Sequence, residues 1–193
     1  AGIGKMIVQG IKASLNAGAE LQQSVGGIET LFKDSADTMI QYANNAFKTA
    51  GMSASDYMNT ATSFAASLLQ GLGGDTAKAA EISNMAITDM SDNVNKMGSN
   101  MEDVQNVYQG FAKQNYTMLD NLKLGYGGTK EEMQRLLEDA EKLSGVHYDI
   151  SNLSDVDSAI HVIQEELGIT GTTAQEAATT LSGSAAMVKS AWT

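Results

Sequence analysis

The sequence predicts an all-α fold of about seven amphipathic helices, arranged as a helical bundle or array and joined by short glycine-rich turns. Apolar residues recur at helical spacing along most of the 193-residue chain. The 19 glycines fall mostly in clusters between these apolar stripes, and proline is absent. Strand patterns are nearly absent, because the one extended-looking stretch, residues 146–153, is better explained as a loop.

Composition narrows the class of protein. Hydrophobic residues make up 42% of the chain, which suits a globular core and argues against disorder. Cysteine is absent, so disulfides and thiolate metal sites are excluded. The net charge of −11 disfavours nucleic acid and anionic membrane surfaces, which both attract basic proteins. The chain carries no direct nucleic-acid-binding signal.

Six apolar stripes predict the core-facing sides of six helices, and a weaker seventh covers residues 174–192, with Gly183 as a kink or break. Residues 1–27 form a generic Gly/Ala-rich helical lead-in, and residues 28–193 form the main helical domain. The six stripes comprise Ala36, Met39, Ile40, Ala43 and Phe47; Tyr57, Met58, Ala61, Ala65, Leu68, Leu69 and Leu72; Ile82, Met85, Ala86, Met90, Val94 and Met97; Met101, Val104, Val107, Tyr108 and Phe111; Met133, Leu136, Leu137, Ala140 and Leu143; and Val156, Ile160, Ile163 and Leu167.

Helix start and stop signals agree with the stripes. Capping boxes, in which a hydroxyl and a carboxyl satisfy the free amides of the first turn, are predicted at Ser99/Glu102, Thr129/Glu132 and Thr173/Glu176. Further N-cap residues are predicted at Ser53, Asp75 and Ser154. Helix ends are predicted near glycines that lie just past a stripe, namely Gly51, Gly73, Gly98, Gly145 and Gly168.

The first stretch of the chain does not have the pattern of a signal peptide or of a membrane span. Lys5, Lys12 and Glu20 interrupt its apolar residues, and a span needs about 20 mostly apolar positions. Because the chain begins at Ala1, we expect it to be a piece of a longer protein. Its spacing of small residues suits close helix packing in water or in lipid, which leaves membrane contact of residues 1–20 open.

Two glycine clusters raise the question of phosphate binding. A Walker-type loop needs Gly-Lys-Ser/Thr between a buried strand and a helix, whereas here the order is Gly128-Thr129-Lys130 and the preceding residues are not an apolar strand. In the cluster at residues 71–76, Asp75 would repel a phosphate. Both clusters are therefore interpreted as helix boundaries.

The histidines offer weak candidate sites. His161 and Glu165 stand four residues apart on one helix face and could share a metal, but no third ligand is signalled locally, so a surface pair is favoured. His147 could be a base in a loop, although bonding within a turn is favoured. No carboxylate is marked as buried, and no Gly-x-Ser-x-Gly nucleophile motif is present. We predict no catalytic, cofactor-binding or metal-binding residue, no cofactor and no enzyme activity.

The 11 methionines have two interpretations. Methionine-rich faces can bind varied helical partners because the side chain adapts its shape. Core packing is favoured here, because most of the methionines fall on the core-facing stripes. Trp192 is expected to anchor a last helix or to contact the adjoining part of a longer parent chain.

Long segments of the chain resemble the tail tape measure proteins of tailed bacteriophages and prophages, as found in phages of Gram-positive bacteria. The segments are "AGMSASDYMNTATSFAASLLQGLGGDTAKAAEISNMAITDMSDNVNKMG" (50–98), "NVYQGFAKQNYTMLDNLKLGYGGTKEEMQRLLEDAEKL" (106–143) and "IQEELGITGTTAQEAATTLSGSAAMVKSAW" (163–192). The resemblance extends from about residue 28 to residue 192.

The resemblance implies a structural role in the virion, in tail length determination, tail assembly and genome ejection. It implies location in the phage tail, with passage through the host cytoplasm during assembly. The implied partners are the tail tube protein, tail assembly chaperones and tail-tip proteins, and self-association stays open. Some members of the family cleave peptidoglycan, but this chain has no hydrolase pattern, so no catalytic role is carried over.

Two further functions stay open beside the tape measure role. One is a helical interaction module that docks tail-tip or host-envelope components, and the other is a helical muramidase. The glycine-punctuated pattern predicts a compact unit with a radius of gyration of about 16 Å by size scaling. A molecular ruler would instead be an extended helix of about 290 Å. We therefore expect the isolated segment to fold as a bundle, and to be stretched or held outside the ruler in the tail.

Overall fold

A computed structural model describes residues 19–176, and this part of the chain is all-α. It contains seven α-helices and two short 3-10 turns, at Lys33–Ser35 and Leu119–Leu122, and no strand. The helices are α1 Ala19–Phe32, α2 Ala36–Ala50, α3 Ala54–Gly71, α4 Thr76–Met97, α5 Met101–Ala112, α6 Lys130–Ser144 and α7 Leu153–Glu166. The predicted fold class is confirmed.

The seven helices are not quite the seven that the stripes predict. The first of them, α1, lies ahead of the stripes and runs through the predicted boundary between residues 27 and 28. It buries Val25, Ile28 and Phe32 against its neighbours α2 and α3. The predicted seventh helix, residues 174–192, lies mostly outside the described residues, as do Gly183 and Trp192.

The longest helix, α4, lies at the centre of the bundle. Its 22 residues span about 33 Å, and it packs against α1, α2, α3, α5 and α7. Asp75 caps its N-terminus by accepting a hydrogen bond from the Lys78 amide, and Gly98 ends it in the left-handed conformation. A helix surrounded in this way must bury residues on several faces, including polar ones.

Several predicted helix boundaries are confirmed. Ser53 and Thr129 cap α3 and α6, because each hydroxyl accepts a hydrogen bond from the backbone amide three residues later. Gly51, Gly98 and Gly145 adopt positive φ directly after α2, α4 and α6. Residues 146–152 form a loop, as expected.

Three predicted caps are wrong. Asn100 rather than Ser99 caps α5, and Asn152 rather than Ser154 caps α7. In each case an asparagine one or two residues away places its side-chain oxygen on the free amides. Thr173 lies inside a helical turn that starts at residue 172, and its amide is bonded to a side chain of α4 instead.

The stripes locate the core well, with three exceptions. The stripes place Phe47, Leu143 and Leu167 on the core face, but these side chains are 66%, 48% and 51% exposed. On α2 the buried face runs through Ala43, Ala46 and Ala50, one step round the helix from Phe47. The core-packing interpretation of the methionines is confirmed: Met39, Met90 and Met133 are buried, and Met85, Met97 and Met101 pack against the core.

Candidate functional site

The glycine-rich loop before α6 is a helix boundary, as expected. The Thr129 hydroxyl accepts the Glu132 amide at 3.1 Å, and the Glu132 carboxylate accepts the amide of Gly127 at 3.0 Å. Arg135 donates to the same carboxylate at 2.7 Å and to the Gly125 carbonyl at 2.9 Å. A carboxylate therefore occupies the position on the loop amide that a phosphate would need.

The two histidines have different surroundings. His147 is exposed in the loop before α7, where its Nδ1 lies 2.7 Å from a carboxylate oxygen of Glu141. His161 contacts Glu165, as predicted, with 3.7 Å between its Nε2 and a carboxylate oxygen. It is more than a surface pair, because the Nδ1 of His161 also lies 2.9 Å from the buried carboxylate of Asp89. The stronger partner comes from α4, which sequence spacing along α7 could not reveal.

Three aspartates are buried where α4, α5 and α7 meet, and this polar cluster is the candidate functional site. Asp89, Asp92 and Asp157 are 1%, 0% and 1% exposed. The expectation that no carboxylate stands out as buried is thus wrong. A signal was available in the spacing: Asp89 lies inside the α4 stripe, four residues after Met85, and Asp157 lies one turn from Ile160 and His161.

Asp92 holds the segment that follows α7. One of its carboxylate oxygens accepts the Gly171 amide at 2.8 Å, and the other accepts the Thr173 amide at 2.9 Å. Asn95, one turn further along α4, donates to the Thr173 hydroxyl at 2.7 Å. Asp92 therefore caps the next helical turn from a different helix, which explains why the cap predicted at Thr173 is not found.

Side-chain amides connect the same helices. The Asn93 amide nitrogen donates to the Gln164 carbonyl oxygen at 2.9 Å and to the Leu122 backbone carbonyl at 2.8 Å. Gln164 in turn donates to the backbone carbonyl of Asp89 at 3.1 Å. Ser99, the residue predicted as a cap, donates to Asn93 instead. These bonds fix the register of α7 against α4.

Burial changes the proton affinities of the cluster. Desolvation raises the pKa of Asp157 well above its ordinary value, and the charge of Asp89 raises it further. Desolvation also raises the pKa of Asp89 to about 6, although the hydrogen bond from His161 opposes the shift. That hydrogen bond raises the pKa of His161. Desolvation, followed by the three aspartates, raises the pKa of the Tyr108 phenol.

The cluster can hold protons and fix helices, and none of its three aspartates lines either of the two grooves described below. Its groups lie inside the packed core, and perturbed carboxyls of this kind also occur in purely structural networks. No group of three or more potential ligands for a metal ion occurs within residues 19–176. The arrangement of the polar cluster supports proton uptake and the positioning of helices.

Surface grooves also occur on the described part of the chain, and two of them contrast in polarity. The larger, of about 500 Å³, lies between the start of α3 and the end of α4, and its walls carry hydroxyl and amide side chains such as Asn59, Ser91 and Gln105. Among the described residues that line this groove, Asp56 is the one charged residue, and its negative charge disfavours anions. The smaller, of about 330 Å³, lies between α6 and α7 and is mostly apolar, with Leu143, Ile163 and Leu167 in its lining.

Comparison with protein-family models, with curated proteins and with solved structures yields no significant match. Among the helices of the described part of the chain, none is long and apolar enough to cross a bilayer.

Proposed function

We propose that the chain is a structural segment of a tail tape measure protein from a tailed phage or prophage. In this role it acts through shape and helix–helix contacts in tail length determination, tail assembly and genome ejection, without catalysis. The observation that carries the proposal is the resemblance of residues 50–98, 106–143 and 163–192 to that family. The all-α architecture supports it, because such proteins are mostly helical.

The compact bundle bears on how such a segment would act. As one continuous helix the described residues would reach about 240 Å, but left-handed glycines interrupt them at Gly51, Gly98 and Gly145. Stretching the chain would also expose the buried polar network that joins α4 to α7. We therefore propose that the segment works as a folded unit beside the ruler rather than as part of the ruler.

The test is an in-frame deletion of residues 19–176 from the gene of the phage that encodes the chain, with tail length measured by electron microscopy. We expect lost infectivity with a length change far below 240 Å. Shortening near that value would support the tape measure role but place the segment along the ruler. Normal tails with full infectivity would contradict the proposal. Replacement of the segment by a polar helical sequence of equal length is the matched control.

The apolar groove between α6 and α7 favours a second function, the docking of a tail-tip or host-envelope component. Leu143 and Leu167 are 48% and 51% exposed there, and Asp139, Lys142 and Glu166 lie around them. Apolar side chains in such a polar rim are typical of protein contacts. Leu143→Ser with Leu167→Ser should then lower infectivity while tail length stays normal. Phe47→Ser, at a more exposed apolar site elsewhere, is the control.

A further inference from the structure

The core contains a carboxyl group with fewer partners than its charge requires. Asp157 on α7 is 1% exposed, and its Oδ1 has no hydrogen-bond partner among the described residues. The same is true of the Tyr108 hydroxyl on the facing helix α5. Asp89 on α4 lies close enough to act on Asp157 by its charge. The surroundings of Asp157 therefore favour the neutral acid over the carboxylate.

The charged groups around Asp157 do not compensate for its ionisation. Asp89 faces it from α4 and Tyr108 from α5, Asp92 acts in turn on Asp89, and its own helix adds His161 and Glu165. His161 is the one cation in this set, and both of its close contacts are to other carboxylates, at 2.9 and 3.7 Å. Ionised Asp157 would therefore face Asp89 without a counter-ion, in a medium where such repulsion is strong.

The segment after α7 depends on the same helix contact. The Asp92 carboxylate accepts hydrogen bonds from the amides of Gly171 and Thr173. The amides of Ile169 and Thr170 donate to the backbone carbonyl of Gln164. Gln164 itself is bonded to Asn93 and to Asp89 on α4. Movement of α7 away from α4 would therefore strain or break one of these two sets of bonds to residues 169–173.

We propose that the contact of α7 with α4 at Asp89 and Asp157, together with the bonds from Asp92 to residues 171 and 173, is a proton-operated latch. While Asp157 is protonated, α7 and residues 169–173 remain closed on α4. When Asp157 loses its proton, the repulsion from Asp89 loosens α7 and releases the chain that follows it. The latch works within the bundle itself, so it does not depend on the tail role proposed above.

The direction of the pH response is set by proton linkage. Asp157, Asp89 and His161 all have raised pKa values in the folded state, so the closed form holds protons that the open or unfolded chain has released. The contribution of Asp89 is lost as pH rises to about 6, and those of Asp157 and His161 are lost as pH rises through their own raised pKa values. Each such proton changes the closing equilibrium by about tenfold per pH unit. Rising pH should therefore open the latch.

The test uses the 193-residue chain and measures amide hydrogen exchange of residues 169–173 between pH 5.5 and 9, corrected for the intrinsic rate. We expect protection of the Gly171 and Thr173 amides to fall at least tenfold across this range. In Asp157→Asn, which is neutral at every pH, the fall should be much smaller. An equal fall in the variant, or no fall in the wild-type chain, would overturn the proposal.

Three further variants separate the effect of the Asp157 proton from loss of a bond, failure to fold and a change in net charge. Asp92→Asn removes one of the two acceptor oxygens, so exchange at residues 171–173 should be faster at every pH while its pH dependence stays. Asp157→Leu repeats the neutral substitution with an apolar group, should Asp157→Asn not fold. Asp103→Asn, on the exposed face of α5, changes the net charge alone and should behave as the wild-type chain. If it suppresses the pH response as Asp157→Asn does, the latch is refuted.

Discussion

Asn93 on α4 and Gln164 on α7 are fully buried and bonded to each other, with 2.9 Å between the Asn93 amide nitrogen and the Gln164 carbonyl oxygen. Each also bonds further groups: Asn93 reaches the Leu122 carbonyl and the Ser99 hydroxyl, and Gln164 reaches the Asp89 carbonyl. A buried polar pair of this kind contributes more to the specificity of helix packing than to stability, because both side chains give up their hydrogen bonds to water on folding.

Removing one member of this pair should be costly. In Asn93→Ala the Gln164 carbonyl oxygen and the Leu122 carbonyl stay buried and lose their donor. We expect a loss of about 2–3 kcal/mol in the free energy of unfolding, since each unsatisfied buried polar group costs about 1–3 kcal/mol. Urea denaturation followed by circular dichroism measures it. Asn45→Ala, at an exposed site on α2, should stay within about 0.5 kcal/mol.

A double-mutant cycle separates the pair from its surroundings. Asn93→Leu with Gln164→Leu replaces both polar groups by apolar ones, so fewer buried groups are left without a partner. We expect the double variant to lose less stability than the sum of the two single variants, by about 1 kcal/mol or more. Additive losses would show that the two side chains act independently.

The sequence predicts more of the fold than of the polar cluster, for a physical reason. Periodicity finds a helix face, so Met39, Met90 and Met133 are placed correctly in the core. It does not fix the rotation of a helix to better than one residue, and α2 therefore buries Ala46 where Phe47 was expected. Small alanines allow α2 to approach its neighbours closely. A hydrophobicity pattern does not predict this preference for small side chains at a helix contact.

The sequence could not predict which side chains of different helices meet at the site. Spacing along one helix pairs His161 with Glu165, four residues away, because a sequence pattern shows only neighbours on the same helix. Its closer partner, Asp89, is 72 residues away. Asp92 likewise caps a turn about 80 residues further along the chain. Polar residues inside an apolar stripe are the one sequence signal for such contacts.

Exposed and buried phenylalanines should differ sharply in their contribution to stability. Phe64 is buried on α3, so Phe64→Ala should cost about 3–5 kcal/mol. Phe47 is 66% exposed, and Phe47→Ala should change the free energy of unfolding by less than about 1 kcal/mol. The comparison uses the same substitution and the same denaturation assay. A large loss at Phe47 would contradict its assignment as an exposed side chain.

The start of α6 should weaken in acid. The hydrogen bond from Arg135, followed by that from the Gly127 amide, lowers the pKa of Glu132 to about 2. A lowered folded pKa means that the stability it adds is present above the unfolded value of 4.5 and is lost as pH falls toward 2. Protection of the amides of residues 127–133, corrected for the intrinsic exchange rate, should therefore fall below pH 4.

Glu132→Gln should remove most of that acid response, because a neutral amide cannot form the same ion pair with Arg135. Glu131→Gln, at the exposed neighbouring position, keeps the Glu132 contacts and should respond as the wild-type chain. An unchanged acid response in Glu132→Gln would assign the loss of protection to another group. Because rising pH acts on the latch and falling pH acts on this loop, stability should peak in mildly acidic solution.

Glycine is required at position 128 for space rather than for a special backbone angle. A Cβ atom there would come within 2.3 Å of the Thr117 backbone carbonyl oxygen and 3.2 Å of an Asp120 carboxylate oxygen. The nearest obstacle is backbone, which cannot rotate away, so Gly128→Ala must displace the loop that leads into α6. We expect a loss of about 2–3 kcal/mol, typical of steric overpacking, measured by thermal and urea denaturation.

Gly26 provides the matched control for this substitution. It lies within α1, and a Cβ added there meets no atom within 4 Å. Gly26→Ala should therefore stabilise the chain by about 0.5–1 kcal/mol, because alanine loses less conformational freedom than glycine in a helix. The two substitutions are chemically identical and opposite in expected sign. Two losses of similar size would show that the close approach of Thr117 to Gly128 does not set the cost.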